Sequence, residues 1–359
     1  MLHPSRRHAC ARGRRRALVP GALGLTGLLV LSACGAGADG GTSPGAGEGT
    51  SSAPQGEAVA VATTTQLGSV LGQITQCAGT ASATVMGPGD DPHDFAASSQ
   101  QVAQMAGAEV VFANGLGLEA GLEAALSNAE TDGATIVEVA PQLEPLPFTA
   151  VDHHDHAGES AEEHAEHAEH EDAASDGDHA GHDHGPLDPH VWMDAGRMAD
   201  AAELMGATLA ERTGEQDYAR CGGEVHAALT EVDQQVAQIL AEIPEHRRTL
   251  VTDHAAYNYL ADAYGLQVSG VVIPGGSTDA EPSSQDLAAL VEQIRDTGAD
   301  ALLTSVGPRS RMVEAVAQEV GDVPVVELYE GGIGPAGSGA ETYADAMVVN
   351  ARALADALK

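Results

Sequence analysis

The feature that most constrains this chain is one helical stretch, Asp217–Ile243, which runs for about 27 residues with few breakers after Gly223. At the α-helical rise it would span roughly 40 Å. That is long for a packing helix in a small lobe and reads as a strut. Before it, short apolar runs at Ala58–Thr64, Ala81–Met86, Glu109–Ala113 and Thr135–Val139 alternate with helical periodicity at Gln66–Cys77, Ser98–Ala106 and Leu116–Ala129. A further helix, Asp194–Thr213, precedes the strut. After it the alternation restarts, with strands at Arg248–Thr252, Gln267–Ile273, Asp300–Ser305 and Val323–Tyr329. The helices there are His254–Tyr264, Ser283–Thr297, Ser310–Val320 and Thr342–Leu358. Short apolar strands alternating with helices imply a parallel sheet covered on both faces. The expected fold is therefore α/β, with two Rossmann-like lobes joined by one long helix. Each lobe is a roughly four-stranded parallel sheet with flanking helices. The boundaries are residues 57–213 for the first lobe, 214–245 for the linker helix and 246–359 for the second lobe.

The chain ahead of residue 57 has a different character. Six arginines between Arg6 and Arg16 precede an apolar run, Ala17–Leu31, and small residues follow. This is the layout of a secretory signal peptide over residues 1–33. The run is too short and too rich in glycine to favour a spanning helix. The ending Leu31-Ser32-Ala33-Cys34 resembles a bacterial lipobox, which implies a lipid on Cys34 and an extracytoplasmic address at the outer face of the cytoplasmic membrane. An ordinary signal peptide cut nearby is the rival reading. Residues 34–56 are rich in Gly, Ser, Ala and Pro, cannot bury a core, and read as a flexible tether.

Six of the 16 basic residues precede Cys34 and none of the 53 acidic ones do. The mature chain thus carries 10 basic residues against 53 acidic, a net charge of about −43. So acidic a body argues against nucleic acid and anionic membrane surfaces as partners and favours cations, with a halophile-like surface as the rival and compatible explanation. The segment 152–185 concentrates this character in an acidic, His-rich loop within the first lobe. It holds His153, His154, His156, His164, His167, His170, His179, His182 and His184, without a Lys or Arg. Imidazole and carboxylate at this density attract divalent metal. A solvated acidic linker that happens to carry histidine is the rival reading.

Three histidines stand apart from that run. His93 follows Asp91-Pro92, His190 follows Asp188-Pro189, and His254 follows Asp253 just past a strand. All three fall beyond strand carboxyl ends, where open parallel sheets bind ligands. Proline restrains where the next side chain points. An upstream aspartate can accept the second ring N–H and so set the tautomer. Three neutral imidazoles suit Zn²⁺, and binding should weaken as acid protonates them. Cys77 and Cys221 remain once Cys34 is set aside; in an oxidising compartment they form either a disulfide or two unpaired thiols.

The chain resembles the metal-binding lipoproteins of zinc and manganese ABC importers, the ZnuA-like cluster of solute-binding proteins. The resemblance covers nearly all of Ala58–Leu358. It rests on Gly87-Pro88-Gly89-Asp90-Asp91-Pro92-His93-Asp94-Phe95, on Val111-Phe112-Ala113-Asn114-Gly115-Leu116-Gly117-Leu118-Glu119, and on Asp188-Pro189-His190-Val191-Trp192-Met193-Asp194. Val251-Thr252-Asp253-His254-Ala255-Ala256-Tyr257, Glu281-Pro282-Ser283 and Leu328-Tyr329 add to it. It implies two α/β lobes joined by a rigid helix, and it places His93, His190 and His254 on the family's metal-binding positions. Histidine rather than glutamate at the third of these implies Zn²⁺ over Mn²⁺. The family often has aspartate as a fourth ligand where this chain has Gly331. Glu330, a bound water or a histidine of the loop is left to complete the set.

The resemblance further implies a monomeric, non-enzymatic receptor that delivers Zn²⁺ to an ABC permease and its ATPase. The His-rich loop has precedent in zinc-type members. Its low apolar content implies sites weaker than a preorganised one. A zinc buffer or adhesin without a transporter is the alternative. A zinc hydrolase is a more distant one, since neither an HExxH motif nor a nucleophile elbow is present.

Overall fold

The computed structural model describes residues 58–148, 186–273, 278, 283–307, 310–321 and 323–359. The expected signal peptide 1–33, the tether 34–56 with Cys34, and the nine histidines of the loop 152–185 lie outside the described residues.

Among the described residues, eight strands form two four-stranded, all-parallel sheets. The first comprises β1 (Ala60–Ala62), β2 (Ser82–Thr84), β3 (Val110–Ala113) and β4 (Thr135–Glu138), in the order β2-β1-β3-β4. The second comprises β5 (Thr249–Thr252), β6 (Gln267–Val271), β7 (Ala301–Ser305) and β8 (Val325–Leu328), in the order β6-β5-β7-β8. The two orders are the same walk across a sheet, so the lobes repeat one topology. Nine helices join them among the described residues: α1 (Thr65–Cys77), α2 (Ser99–Ala106), α3 (Glu123–Thr131), α4 (Ala195–Thr213), α5 (Asp217–Leu240), α6 (Asn258–Tyr264), α7 (Ser284–Thr297), α8 (Ser310–Val320) and α9 (Tyr343–Leu358).

Alternation along the strands sorts side chains between two faces. Ala60, Ala62, Val110 and Phe112 point into a core that continues through α4, α5 and α9 to Leu250, Ala301, Leu303 and Leu328 of the second sheet. Val61 and Val111 face a separate cluster on the outside of the first lobe. Val251 and Leu302 face another on the outside of the second. The lobes therefore share one interior. Opening them widely would expose that apolar surface at roughly 25 cal/mol per Å².

The long helix is shorter and less solitary than a strut. It ends at Leu240 because Pro244 cannot follow a helical residue at Ile243. Arg248 then takes up its last carbonyl and one just beyond it, donating from Nη2 to Leu240 O at 3.0 Å and to Ile243 O at 2.9 Å. Along its length α5 packs on α4, and it also touches α1 and α9. At the α4–α5 contact Gly206 and Gly222 face each other so closely that a Cβ on Gly206 would sit 2.7 Å from the Gly222 Cα. Two helices end up starting later than their periodicity implies. The stretch from Leu116 begins with Gly115, Leu116 and Gly117 at positive φ, so regular helix waits until Glu123. The stretch from His254 becomes helical at Asn258.

Cys77 at the end of α1 and Cys221 in α5 are joined as a disulfide. The bridge spans 144 residues of sequence. On the chain-entropy account a closure of this length stabilises by about 5 kcal/mol. Cys77→Ser with Cys221→Ser is expected to lower the thermal midpoint of the oxidised chain by about 8–10 °C, at roughly 1.5–2 °C per kcal/mol for a chain of this size. A scanning-calorimetry midpoint that stays put would show that the bridge constrains little.

Candidate metal centre

Each of the three histidines is fixed by a separate piece of the fold. His93 sits in the loop between β2 and α2, where Asp91 accepts its backbone N–H at 3.1 Å and the Thr278 hydroxyl at 2.9 Å. His190 opens a short 3-10 turn over Val191–Met193. Asp188 Oδ1 accepts both its backbone N–H, at 2.9 Å, and its Nδ1–H, at 2.8 Å. His254 follows β5, and Asp253 Oδ1 accepts its backbone N–H and its Nδ1–H, each at 2.8 Å. With Nδ1 of His190 and His254 committed to carboxylates, Nε2 and its lone pair are what each ring would offer a metal.

The three rings converge. Their centroids lie 5.3, 5.6 and 5.5 Å apart. One ring nitrogen from each falls within 4.8 Å of the others. His93 Nε2 and His190 Nε2 are 3.2 Å apart. Two nitrogens at about 2.05 Å from a tetrahedral Zn²⁺ would be separated by about 3.3 Å. All three residues are buried, at 3%, 0% and 1% exposure. Glu330, also buried, stands beside them with Oε2 3.8 Å from His254 Nε2. Its Oε1 has no hydrogen-bond partner among the described residues, and a buried carboxylate oxygen left so is costly. A cavity of about 220 Å³, lined in part by Asp90, Asp91, His93 and Glu330, opens onto the His93 side of the trio.

The carboxylates behind the rings are themselves held. Burial alone would push the Asp253 carboxyl up. The His254 charge and ring hydrogen bond, with donors from Ser305 N and the Thr304 hydroxyl, outweigh it and hold the group below the usual carboxylate range. Asp188 receives the Asn258 amide at 2.9 Å on its other oxygen. The Tyr259 hydroxyl donates to its carbonyl at 2.7 Å and accepts the Leu146 N–H at 2.9 Å. Burial of that phenol pushes its pKa up to about 12, so it remains a donor at any physiological pH. The start of α6 thus grips the loop that carries His190.

Glu119 serves the same loop from the other lobe. Burial pushes its carboxyl up, against the opposing pull of hydrogen bonds from Thr63, Gly115 and Asn114. With the backbone after β3 pinned in this way, the Asn114 side chain donates to Pro189 O at 2.9 Å, one residue from His190. Two donors from the first lobe cross to the Glu330 carbonyl, Trp192 Nε1 at 2.8 Å and Gln66 Nε2 at 3.1 Å. The sequence marks Asn114, Glu119 and Trp192 as parts of shared motifs without giving them a task. Gln66, Tyr259 and Ser305 carry no signal that spacing could have revealed, because their partners lie far away in the chain. Gly331 offers no side chain, and it lines the same cavity as Glu330.

Three comparisons bear on this geometry. The family described as zinc-uptake complex component A, periplasmic, matches residues 60–357. The chain is 26% identical over 333 residues to the manganese-binding lipoprotein MntA of Halalkalibacterium halodurans, covering 90% of this chain and 92% of that one. It is 25% identical over 283 residues to the zinc-binding protein TroA of Treponema pallidum, covering 76% and 80%. The solved structure of that periplasmic zinc-binding protein has the same fold, with a TM-score of 0.66 at 24% identity over 84% of this chain and 99% of the other.

Proposed function

Since the chain belongs to the zinc-uptake complex component A family and is a metal-binding, substrate-binding component of an ABC transporter, we propose that its cargo is Zn²⁺, held by His93, His190, His254 and Glu330. Relatives are named for manganese as well as for zinc, so the choice of ion rests on the donors. The observation that carries it is the convergence of three buried imidazole nitrogens within 4.8 Å, with Glu330 as the adjoining carboxylate. Nitrogen-rich, four-donor sites suit zinc, whereas manganese favours oxygen donors in higher number. Glu330 supplies an anionic fourth donor in place of the side chain that Gly331 lacks.

The protein does no covalent chemistry in this reading. The ion sheds water as the imidazoles replace it, the Asp188 and Asp253 carboxylates keep two rings in the ligating tautomer, and a permease with its ATPase receives the ion. The shared core limits wide opening, which favours release through small shifts of the loops around the cavity. Cys34 is the lipid attachment point that keeps the monomer at the outer face of the membrane, and the nine histidines of 152–185 are weaker accessory sites. Titration of the mature chain with Zn²⁺ and Mn²⁺ against a competing chelator tests the reading. Zn²⁺ is expected to bind far more tightly, and Glu330→Ala to weaken it by about 10²-fold or more, the share of one donor in a four-donor zinc site. Unchanged zinc affinity in that variant removes Glu330 from the site, and preference for Mn²⁺ in the parent chain removes zinc.

A further inference from the structure

Ser305 closes β7 and touches both halves of the second lobe's contribution to the metal centre. Its backbone N–H donates to Asp253 Oδ2 at 2.9 Å, beside the Thr304 hydroxyl at the same distance. The opposite oxygen of Asp253 holds the His254 ring. The Ser305 hydroxyl donates to Glu330 Oε2 at 2.6 Å, a length in the range of strong charge-assisted O–H···O⁻ bonds. Glu330 Oε1 is buried and unpartnered among the described residues. One residue therefore sets the orientation of a candidate imidazole ligand, through Asp253, and of the candidate carboxylate ligand directly.

Building on the four-donor reading above, we propose that Ser305 is a positioning residue that determines ion specificity by restricting Glu330 to ligation through one oxygen. A free carboxylate can bind an ion through one oxygen or both. Ions that prefer six or more oxygen-rich donors gain from the second oxygen, whereas Zn²⁺ is satisfied by four donors in a tetrahedron. The oxygen beside the imidazoles is Oε2, 3.8 Å from His254 Nε2, and it already carries the Ser305 bond, so ligation through this one oxygen keeps the carboxylate in the orientation that the 2.6 Å bond sets. Two-oxygen ligation needs Oε1 turned in beside Oε2, which rotates the carboxylate out of the orientation that the Ser305 bond holds. The penalty falls on the ion that needs the second oxygen, so the hydroxyl discriminates against manganese more than it strengthens zinc.

The test compares Ser305→Ala, Ser305→Thr and Glu330→Ala with the parent mature chain, each titrated with Zn²⁺ alone and with Mn²⁺ alone. Ser305→Ala is expected to narrow the Zn²⁺/Mn²⁺ affinity ratio by about 10–100-fold, the usual scale for removing a hydrogen-bond partner of a metal ligand. Ser305→Thr, which keeps a hydroxyl, is expected to preserve the ratio. A merely structural role would lower both affinities together and leave the ratio unmoved. The visible spectrum of bound Co²⁺ gives an independent reading: intense tetrahedral bands in the parent and threonine chains, weakened in the alanine chain as the coordination number rises. An unchanged ratio in Ser305→Ala, or the same narrowing in Ser305→Thr, overturns the inference. If Glu330→Ala weakens zinc while Ser305→Ala leaves the ratio alone, the inference fails by itself. If Glu330→Ala changes nothing, the four-donor reading fails and takes this inference with it.

Discussion

His93→Ala is expected to weaken zinc binding by about 10²- to 10³-fold while leaving the fold in place. A structural zinc site with four donors is worth about 10–16 kcal/mol near neutral pH, or about 2.5–4 kcal/mol for each donor. Loss of one imidazole should therefore cost about 10²- to 10³-fold in affinity. His93 is the best of the three for this test. Substitution of His190 or His254 also removes the ring that Asp188 or Asp253 holds, and those carboxylates are 0% and 1% exposed. A buried charge deprived of its partner destabilises the fold, so binding and folding would be lost together. His93 instead lines the cavity, and its upstream Asp91 carboxylate is engaged by a backbone N–H and by Thr278. Zinc at 100 times its dissociation constant should stabilise the parent by about 2.7 kcal/mol. That zinc-dependent rise in thermal midpoint should shrink or vanish in the variant, while the midpoint without metal stays near the parent's. Parental affinity in His93→Ala would mean that the convergence of the rings has another purpose.

The trio was legible because its signal is local. Asp-Pro-His occurs twice, and Asp-His once past a strand, so proline, aspartate and the strand end each leave a mark within three residues. The eight strands were legible for a related reason, being short apolar runs bounded by turns. What escaped was everything set by distant pairing. The periodicity that starts at Leu116 cannot reveal that Glu119 folds back onto Asn114 N and Gly115 N, at 2.7 and 2.9 Å, delaying the helix. Nor can it reveal that Asp253 occupies the N–H of His254, so that α6 waits until Asn258. The packing of the long helix escaped in the same way. Its length was readable, but the Gly206–Gly222 contact that lays it on α4 depends on two glycines in different helices. Ser305 bonded to Glu330 across 25 residues, and Trp192 to the Glu330 carbonyl across 138, exist only once the sheets have formed.

Deletion of residues 152–185 is expected to reduce zinc stoichiometry from several ions to one without weakening the tight site. The reason lies at the base of the deleted segment. Pro147 and Leu187 form an antiparallel bridge, Phe148 N donates to Pro186 O at 2.8 Å, and Asp188 N donates to Leu146 O at 2.9 Å. The two ends are thus already neighbours, and residues 149–151 alone suffice for a short hairpin-like connection. His190 is held independently of the segment, by Asp188, by Asn114 through Pro189 O, and by Tyr259 through the Asp188 carbonyl. Nine histidines among Gly, Asp, Glu, Ala and Ser offer little apolar content from which to build a preorganised cage, so weaker sites are expected of them. Such sites should appear in calorimetry as a separate, weaker phase that disappears with the deletion. The tight phase should be superimposable on the parent's. Its loss would make the segment part of the primary site and would supply the loop histidine as fourth donor in place of Glu330. An unaltered stoichiometry would make the richest run of histidine in the chain a solvated spacer, and would leave the sparse trio behind Pro92, Pro189 and Asp253 as the whole of its zinc chemistry.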